Sequence, residues 1–121
     1  MLSLREEDWD KLEELVEHHT PDKAKEVLLI FEQMPSDIWV TEDVLGLVAY
    51  VHLPIEVDMI IAMQWDNKFT MSQWRKIKEL INNRKKEVHI NSAPNNKAIS
   101  KWVSNGGGYW LLDDIVFPKK G

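Results

Sequence analysis

A chain of 121 residues, 44% apolar and 29% charged, has the length of one domain and enough apolar side chains to build a core. Fifteen Lys and Arg against twenty Asp and Glu leave a net charge of −5, which argues against gripping a nucleic-acid backbone as the main task. With no cysteine, disulfides, thiolate metal sites and cysteine nucleophiles are excluded.

Leu2-Ser3-Leu4 alternates like a short edge strand. Trp9, Leu12, Leu15 and Val16 then recur at helical spacing behind an acidic start (Glu6, Glu7, Asp8). This first helix ends near His18-His19. Thr20-Pro21 reads as N-cap and first residue of a second helix, with Ala24, Val27, Leu28, Phe31 and Met34 inward and Pro35 as its stop. The period then changes. Ile38-Trp39-Val40-Thr41 and the run Gly46 to Leu53 are β-rich, with Glu42 to Leu45 as the hairpin turn between them. Asp58 to Gln64 is nearly continuous in apolar character and predicts a strand buried on both faces.

Thr70 or Ser72 caps a third helix with Met71, Trp74, Ile77 and Ile81 inward. Val88 to Asn91 is a short strand. Asn95-Asn96 opens a fourth helix with Ala98, Ile99, Trp102 and Val103 inside, ended by Gly106-Gly107-Gly108. Tyr109 to Phe117 reads as one last strand. The order is β-α-α-β-β-β-α-β-α-β, a single α/β domain over residues 1–121 with a mixed sheet flanked by helices. No apolar run approaches membrane-spanning length, and the first residues carry no secretory pattern, so a reducing, cytoplasmic setting is expected.

Leu4-Arg5-Glu6-Glu7-Asp8-Trp9, the Val40-Thr41-Glu42-Asp43 turn running into Leu45-Gly46-Leu47-Val48, and Asn95-Asn96-Lys97-Ala98-Ile99 before Asn105-Gly106-Gly107 together resemble the GNAT N-acetyltransferase superfamily. The resemblance implies a GNAT-like fold with acetyl-CoA in a cleft where the fourth and fifth strands part. It places the pyrophosphate on backbone N–H groups of a glycine-containing loop between the fourth strand and third helix, where glycines let donors approach and the helix N-terminus favours negative charge. The matching stretch here supplies Gln64, Trp65, Lys68, Thr70 and Ser72, with Asn91 and Asn96 on the facing strand end and helix start as the remaining cofactor-side residues. It holds no glycine and adds Asp66. The family's general-acid Tyr, in Asn-x-x-Ala-x-x-x-Tyr, is matched by Trp102, whose indole cannot deliver a proton. Asp58 and Glu56, at the start of the fourth strand, are the candidate bases.

The remaining chemistry-bearing residues have plainer readings. His18 and His19 are adjacent, so they cannot form an i,i+4 metal pair, and His52 and His89 lie on separate strands; no metal site is expected. Arg75, Lys76, Lys78, Arg84, Lys85 and Lys86 read as a basic third helix, a solvated face before a phosphate site. Among six tryptophans, Trp9, Trp74 and Trp102 fit buried stripes, whereas Trp39, Trp65 and Trp110 flank loops and are the candidate partner-binding aromatics. No P-loop, nucleophile elbow or dinucleotide fingerprint is present. Two functions follow. The first is a GNAT-fold protein with an eroded acetyl-CoA site that binds a protein partner, similar to compact GNAT-like proteins of tailed bacteriophages that serve virion assembly or host takeover. The second is an active N-acetyltransferase with an unusual cofactor loop.

Overall fold

The computed structural model describes residues 1–91 and 97–120. Along the chain these form β1 (Leu2–Ser3), a 3-10 turn (Glu6–Asp8), α1 (Trp9–His19), α2 (Ala24–Gln33), β2 (Ser36–Val40), β3 (Gly46–His52), β4 (Val57–Gln64), α3 (Met71–Asn82), β5 (Glu87–Ile90), α4 (Lys97–Asn105), β6 (Tyr109–Leu111) and β7 (Asp114–Phe117). One mixed sheet of seven strands runs β1-β2-β3-β4-β5-β7-β6, antiparallel except for the β4–β5 pair.

β3 explains why there are helices on both sides. Its Leu47, Ala49 and Val51 enter one core and its Val48 and Tyr50 enter another, because successive side chains of a strand point to opposite faces. α1 and α2 close the first core with Leu12, Leu15, Val16, Ala24 and Phe31; α3 and α4 close the second with Ile77, Ile81, Ile99 and Val103. Each fully buried aliphatic side chain contributes about 1.5–3 kcal/mol of transfer free energy. Among the described residues the first core draws its strand side chains from β2, β3 and β4, with none from β5, β6 or β7. On that face β5, β7 and β6 are therefore left without a helix among the described residues.

The parallel pair is short. It runs from Val57 opposite Glu87 to Ile60 opposite Ile90, where β5 ends, while β4 continues to Gln64. The Thr41 to Gly46 turn is held by Asp43, whose Oδ1 accepts the Thr41 hydroxyl (2.6 Å) and the Leu45 N–H (3.1 Å).

Several expectations are corrected. α2 begins at Ala24, because Thr20 to Lys23 form a separate turn closed by the Lys23 N–H on the Thr20 carbonyl (3.1 Å). α3 stops at Asn82, so Arg84 to Lys86 lie outside the helix; Arg84 is buried and donates to the carbonyls of Ile81 and Pro118. Met71 is 68% exposed rather than inward, and Ala98 is exposed. The last strand is a hairpin, β6 and β7, turned at Leu112, which has a left-handed φ of +59°. The glycines before it allow a close approach: a Cβ at Gly106 or Gly108 would lie 2.9 Å from the Phe117 ring.

Candidate functional site

The segment between β4 and α3, which the sequence resemblance matched to a cofactor loop, is closed on itself by its own side chains. Thr70 is the N-cap of α3. Its Oγ1 accepts the Gln73 N–H (3.2 Å) while Gln73 Oε1 accepts the Thr70 N–H (2.9 Å), a reciprocal capping box. Upstream, Asp66 Oδ1 accepts the Lys68 N–H (3.0 Å) and the Gln64 carbonyl accepts the Asn67 N–H (2.9 Å). Four backbone donors of this loop are thus already satisfied internally. Asn67 reaches the left-handed conformation (φ +61°) where a glycine would otherwise be used.

Gln73 is the residue that sequence reasoning missed. It is fully buried, and its Nε2 donates to the carbonyls of Met63 (2.8 Å) and Leu47 (3.3 Å), pinning the first turn of α3 onto β3 and β4. Gly46 makes room: a Cβ there would lie 2.7 Å from Gln73 Nε2 and 2.1 Å from Gln64 Oε1. Gln64 accordingly faces the interior, its Oε1 buried and without a hydrogen-bond partner among the described residues. Thr70 shares a hydrogen bond with Ser72 (3.0 Å), and Lys68 is exposed. Asn96 lies outside the described residues.

Above the loop, Trp65 stacks flat on His18, with ring centroids 3.6 Å apart and planes 1° from parallel, and a His18 Nε2–Trp65 carbonyl contact of 3.1 Å completes the strap. It ties the end of α1 to the end of β4. Beside it opens a cavity of about 360 Å³, floored by Met59, Ile61 and Met63 of β4, walled by Val27 and Ile30 of α2, and rimmed by His19, Lys23, Glu26 and Asn91. His19 has a buried Nδ1 with no hydrogen-bond partner among the described residues. Burial, then the neighbouring His18, lower its pKa below the ordinary imidazole value, against a smaller opposing effect of Asn67.

The candidate bases lie elsewhere. Glu56 is exposed in the turn before β4. Asp58 is only 4% exposed and faces the α3 side. It accepts the Tyr50 hydroxyl (2.7 Å) and pairs with Lys86 (3.0 Å), while His52 stands 3.3 Å from Asp37 and 4.0 Å from Asp58. Burial, then the Asp58 hydrogen bond, raise the Tyr50 pKa. This cluster borders its own cavity of about 360 Å³, between β4 and the end of α3, on the other face of the sheet from His19. Between α3 and α4 an aromatic chain runs Phe69–Trp74–Trp102–Phe117, with centroid separations of 5.2, 5.8 and 5.3 Å, so Trp102 is a packing residue bridging the two helices.

Of the three partner-binding tryptophans, Trp65 is exposed on the His18 stack. Trp39 is half-buried beneath the Lys76 ammonium (4.4 Å), and Trp110 is half-buried with its Nε1 fully covered. Exposed apolar side chains cluster instead at Tyr109 (49%), Leu111 (55%) and Leu112 (90%), on the outermost strand and its turn, while Leu2, Leu29, Leu45, Ile55 and Met71 are exposed at scattered positions elsewhere. Trp110 packs into the α3/α4 core, so Tyr109 and Leu111 point to the helix-free face, Tyr109 in one row with Val116, His89 and Met59 and Leu111 opposite Asp114.

Among the described residues no three His, Asp or Glu side chains gather to hold a metal, and no helix is long and apolar enough to cross a membrane. No family model, curated protein or solved structure matches the chain. The fold and the site thus define an α/β domain with a seven-stranded mixed sheet and, among the described residues, a cavity on each face of it.

Proposed function

We propose that this protein is a GNAT-like scaffold whose acetyl-CoA cradle has been taken over by its own side chains, and that it works by binding a protein partner. The order of the elements supports the ancestry, together with a parallel β4–β5 pair in which β4 runs on after β5 has stopped. The observation that carries the loss of cofactor binding is the capping box and turn at Asp66 to Gln73, because a pyrophosphate would have to displace bonds the loop already makes. Asp66 adds repulsion, and no glycine brings the backbone closer. The helix-free sheet face ending in Tyr109, Leu111 and Leu112 is the surface for the partner, since large apolar side chains clustered at a sheet edge anchor interfaces. A phage structural protein or a host protein fits the resemblance.

The second reading, N-acetyl transfer to an amine with acetyl-CoA as donor, draws on the Met-floored cavity beside the end of β4 that runs on past β5. In that cavity His19, whose pKa burial and then His18 lower, would accept the proton, while Asp58 lies on the opposite sheet face. Thermal melts in acetyl-CoA separate the two. A ligand present at about 100 times its Kd adds roughly 2.7 kcal/mol to the native state and raises the melting temperature by several degrees. We expect no shift at millimolar acetyl-CoA; a clear rise returns the protein to the acetyltransferases.

A further inference from the structure

The net charge of −5 averages two very different halves. Residues 1–66 hold sixteen acidic and four basic side chains, whereas residues 67–121 hold four acidic and eleven basic ones, a division of −12 against +7. The fold keeps most of these apart, because α1 and α2 lie on one face of the sheet and α3 and α4 on the other; Asp37 and Asp58 are acidic-half side chains that border the end of α3, where Lys86 pairs with Asp58. Lys68 precedes α3, Arg75 and Lys78 project from it, Lys85 follows it, Lys101 stands on α4, and Lys120 reaches the Asn82 carbonyl at the end of α3. All six are exposed and none makes an ion pair among the described residues. The one carboxylate of α3, Glu79, is already taken by Lys76 (3.4 Å).

We infer that the outer face of α3 and α4 binds the phosphodiester backbone of single-stranded nucleic acid, independently of its sequence. α3 is twelve residues long, about 18 Å at 1.5 Å per residue, and the flanking lysines extend the basic line past both ends, over several nucleotides. Trp74 and Trp102 lie half-buried where α3 meets α4, so the same helix pair that carries the cations also carries partly accessible aromatic rings, the two elements that single-strand binding combines for backbone and base contacts. Among the described residues no helix or ribbon projects from this face to enter a duplex groove. A protein partner would need apolar anchors, yet Met71 is the one large apolar side chain exposed on α3, and the Tyr109 to Leu112 cluster belongs to β6 and its turn. The acidic α1/α2 face repels a polyanion, so binding is one-sided. This inference is independent of the acetyl-CoA reading and of the partner surface on β6.

The test is fluorescence anisotropy of labelled oligo-dT and oligo-U with the full chain. Binding is expected at about 50 mM salt, weakening as salt rises with a log–log slope near −2 to −3, as three or four neutralised phosphates give on a single strand. Arg75→Glu/Lys78→Glu/Lys101→Glu should weaken binding at least about tenfold and flatten the slope. Glu14→Lys/Glu17→Lys on α1 should leave it within about threefold. All variants change exposed positions, and their melting curves verify folding. No binding at low salt, binding indifferent to the triple variant, or displacement by polyglutamate as effective as by unlabelled oligo-dT would overturn the proposal, the last by assigning the face to acidic polypeptides.

Discussion

Gln73 Nε2 lies 2.8 Å from the carbonyl oxygen of Met63, so one buried side chain both caps α3 and fastens it to the end of β4. Removing it by Gln73→Ala deletes the capping box, leaves two carbonyls without their donor, and opens a cavity. The expected loss is about 2–4 kcal/mol, the range for a cap and buried hydrogen bonds together. Gly46→Ala should cost a comparable amount, because its methyl would overlap Gln64 Oε1 and Gln73 Nε2. The double variant should lose less than the two single losses added, since both act on one contact. Urea midpoints for the three proteins decide this.

The turn residue Leu112 combines a left-handed φ of +59° with 90% exposure, a conformation that favours glycine and a position that disfavours leucine. Leu112→Gly should therefore stabilise the isolated protein by about 0.5–1 kcal/mol by relieving strain, and lower its tendency to associate. If Tyr109, Leu111 and Leu112 form the partner surface, the same change weakens partner binding. A melting temperature that falls instead would show that Leu112 packs on the fold.

These two positions mark what could and could not be read in the sequence. Apolar periodicity gave α1, most of α2, the inward stripe of α4 at Ile99 and Val103, and the doubly buried β4, because burial on a helix or strand face leaves a direct trace in residue type. Thr70 was legible as a cap because its side chain bonds its own helix. The hairpin at Leu112 was not, since neither Leu112 nor Asp113 is a glycine or asparagine and only Asp113-Asp114 interrupts the apolar runs on either side. Gln73 carries no apolar signal that would mark it as interior; its burial depends on Gly46, 27 positions earlier, leaving space. The basic stretch Arg75 to Lys86 read as one helix face, but the structure divides it. Arg84 is buried, Lys76 covers Trp39, Lys86 neutralises Asp58, and Arg75, Lys78 and Lys85 remain for solvent. Partners distant in the chain decide such roles.

Asp58 supplies a third measurable consequence. Its carboxylate is buried against the Tyr50 hydroxyl and Lys86, whose side chain is 30% exposed and can turn to water. Asp58→Asn should destabilise by about 1–3 kcal/mol, less than breaking a wholly buried pair. Adding Lys86→Met should recover part of that loss, which a double-mutant cycle in urea measures. The Tyr50 pKa, held up by burial and then by Asp58, should fall in Asp58→Asn, followed by ultraviolet titration.

His19 gives the protein a pH dependence of definite sign. Its imidazole is half-covered at the rim of the β4 cavity, and burial, then His18, lower its pKa below the ordinary value near 6.5. Between that value and the lowered one, the unfolded chain binds a proton that the folded chain refuses. Stability must therefore rise with pH there, and the penalty grows as pH falls from about 6.5 through the folded pKa. Asp8 and Asp43, whose pKa values are lowered by Arg5 and by Thr41, lose their contributions only at more acid pH and do not mask it. Urea midpoints of the wild type should drop from about pH 7.5 to 5.5, and those of His19→Gln should drop less. The difference is modest because the ring is partly solvated. A steeper fall in His19→Gln would mean that the protonated ring is the stabilised form, and would place a carboxylate against it in the native protein.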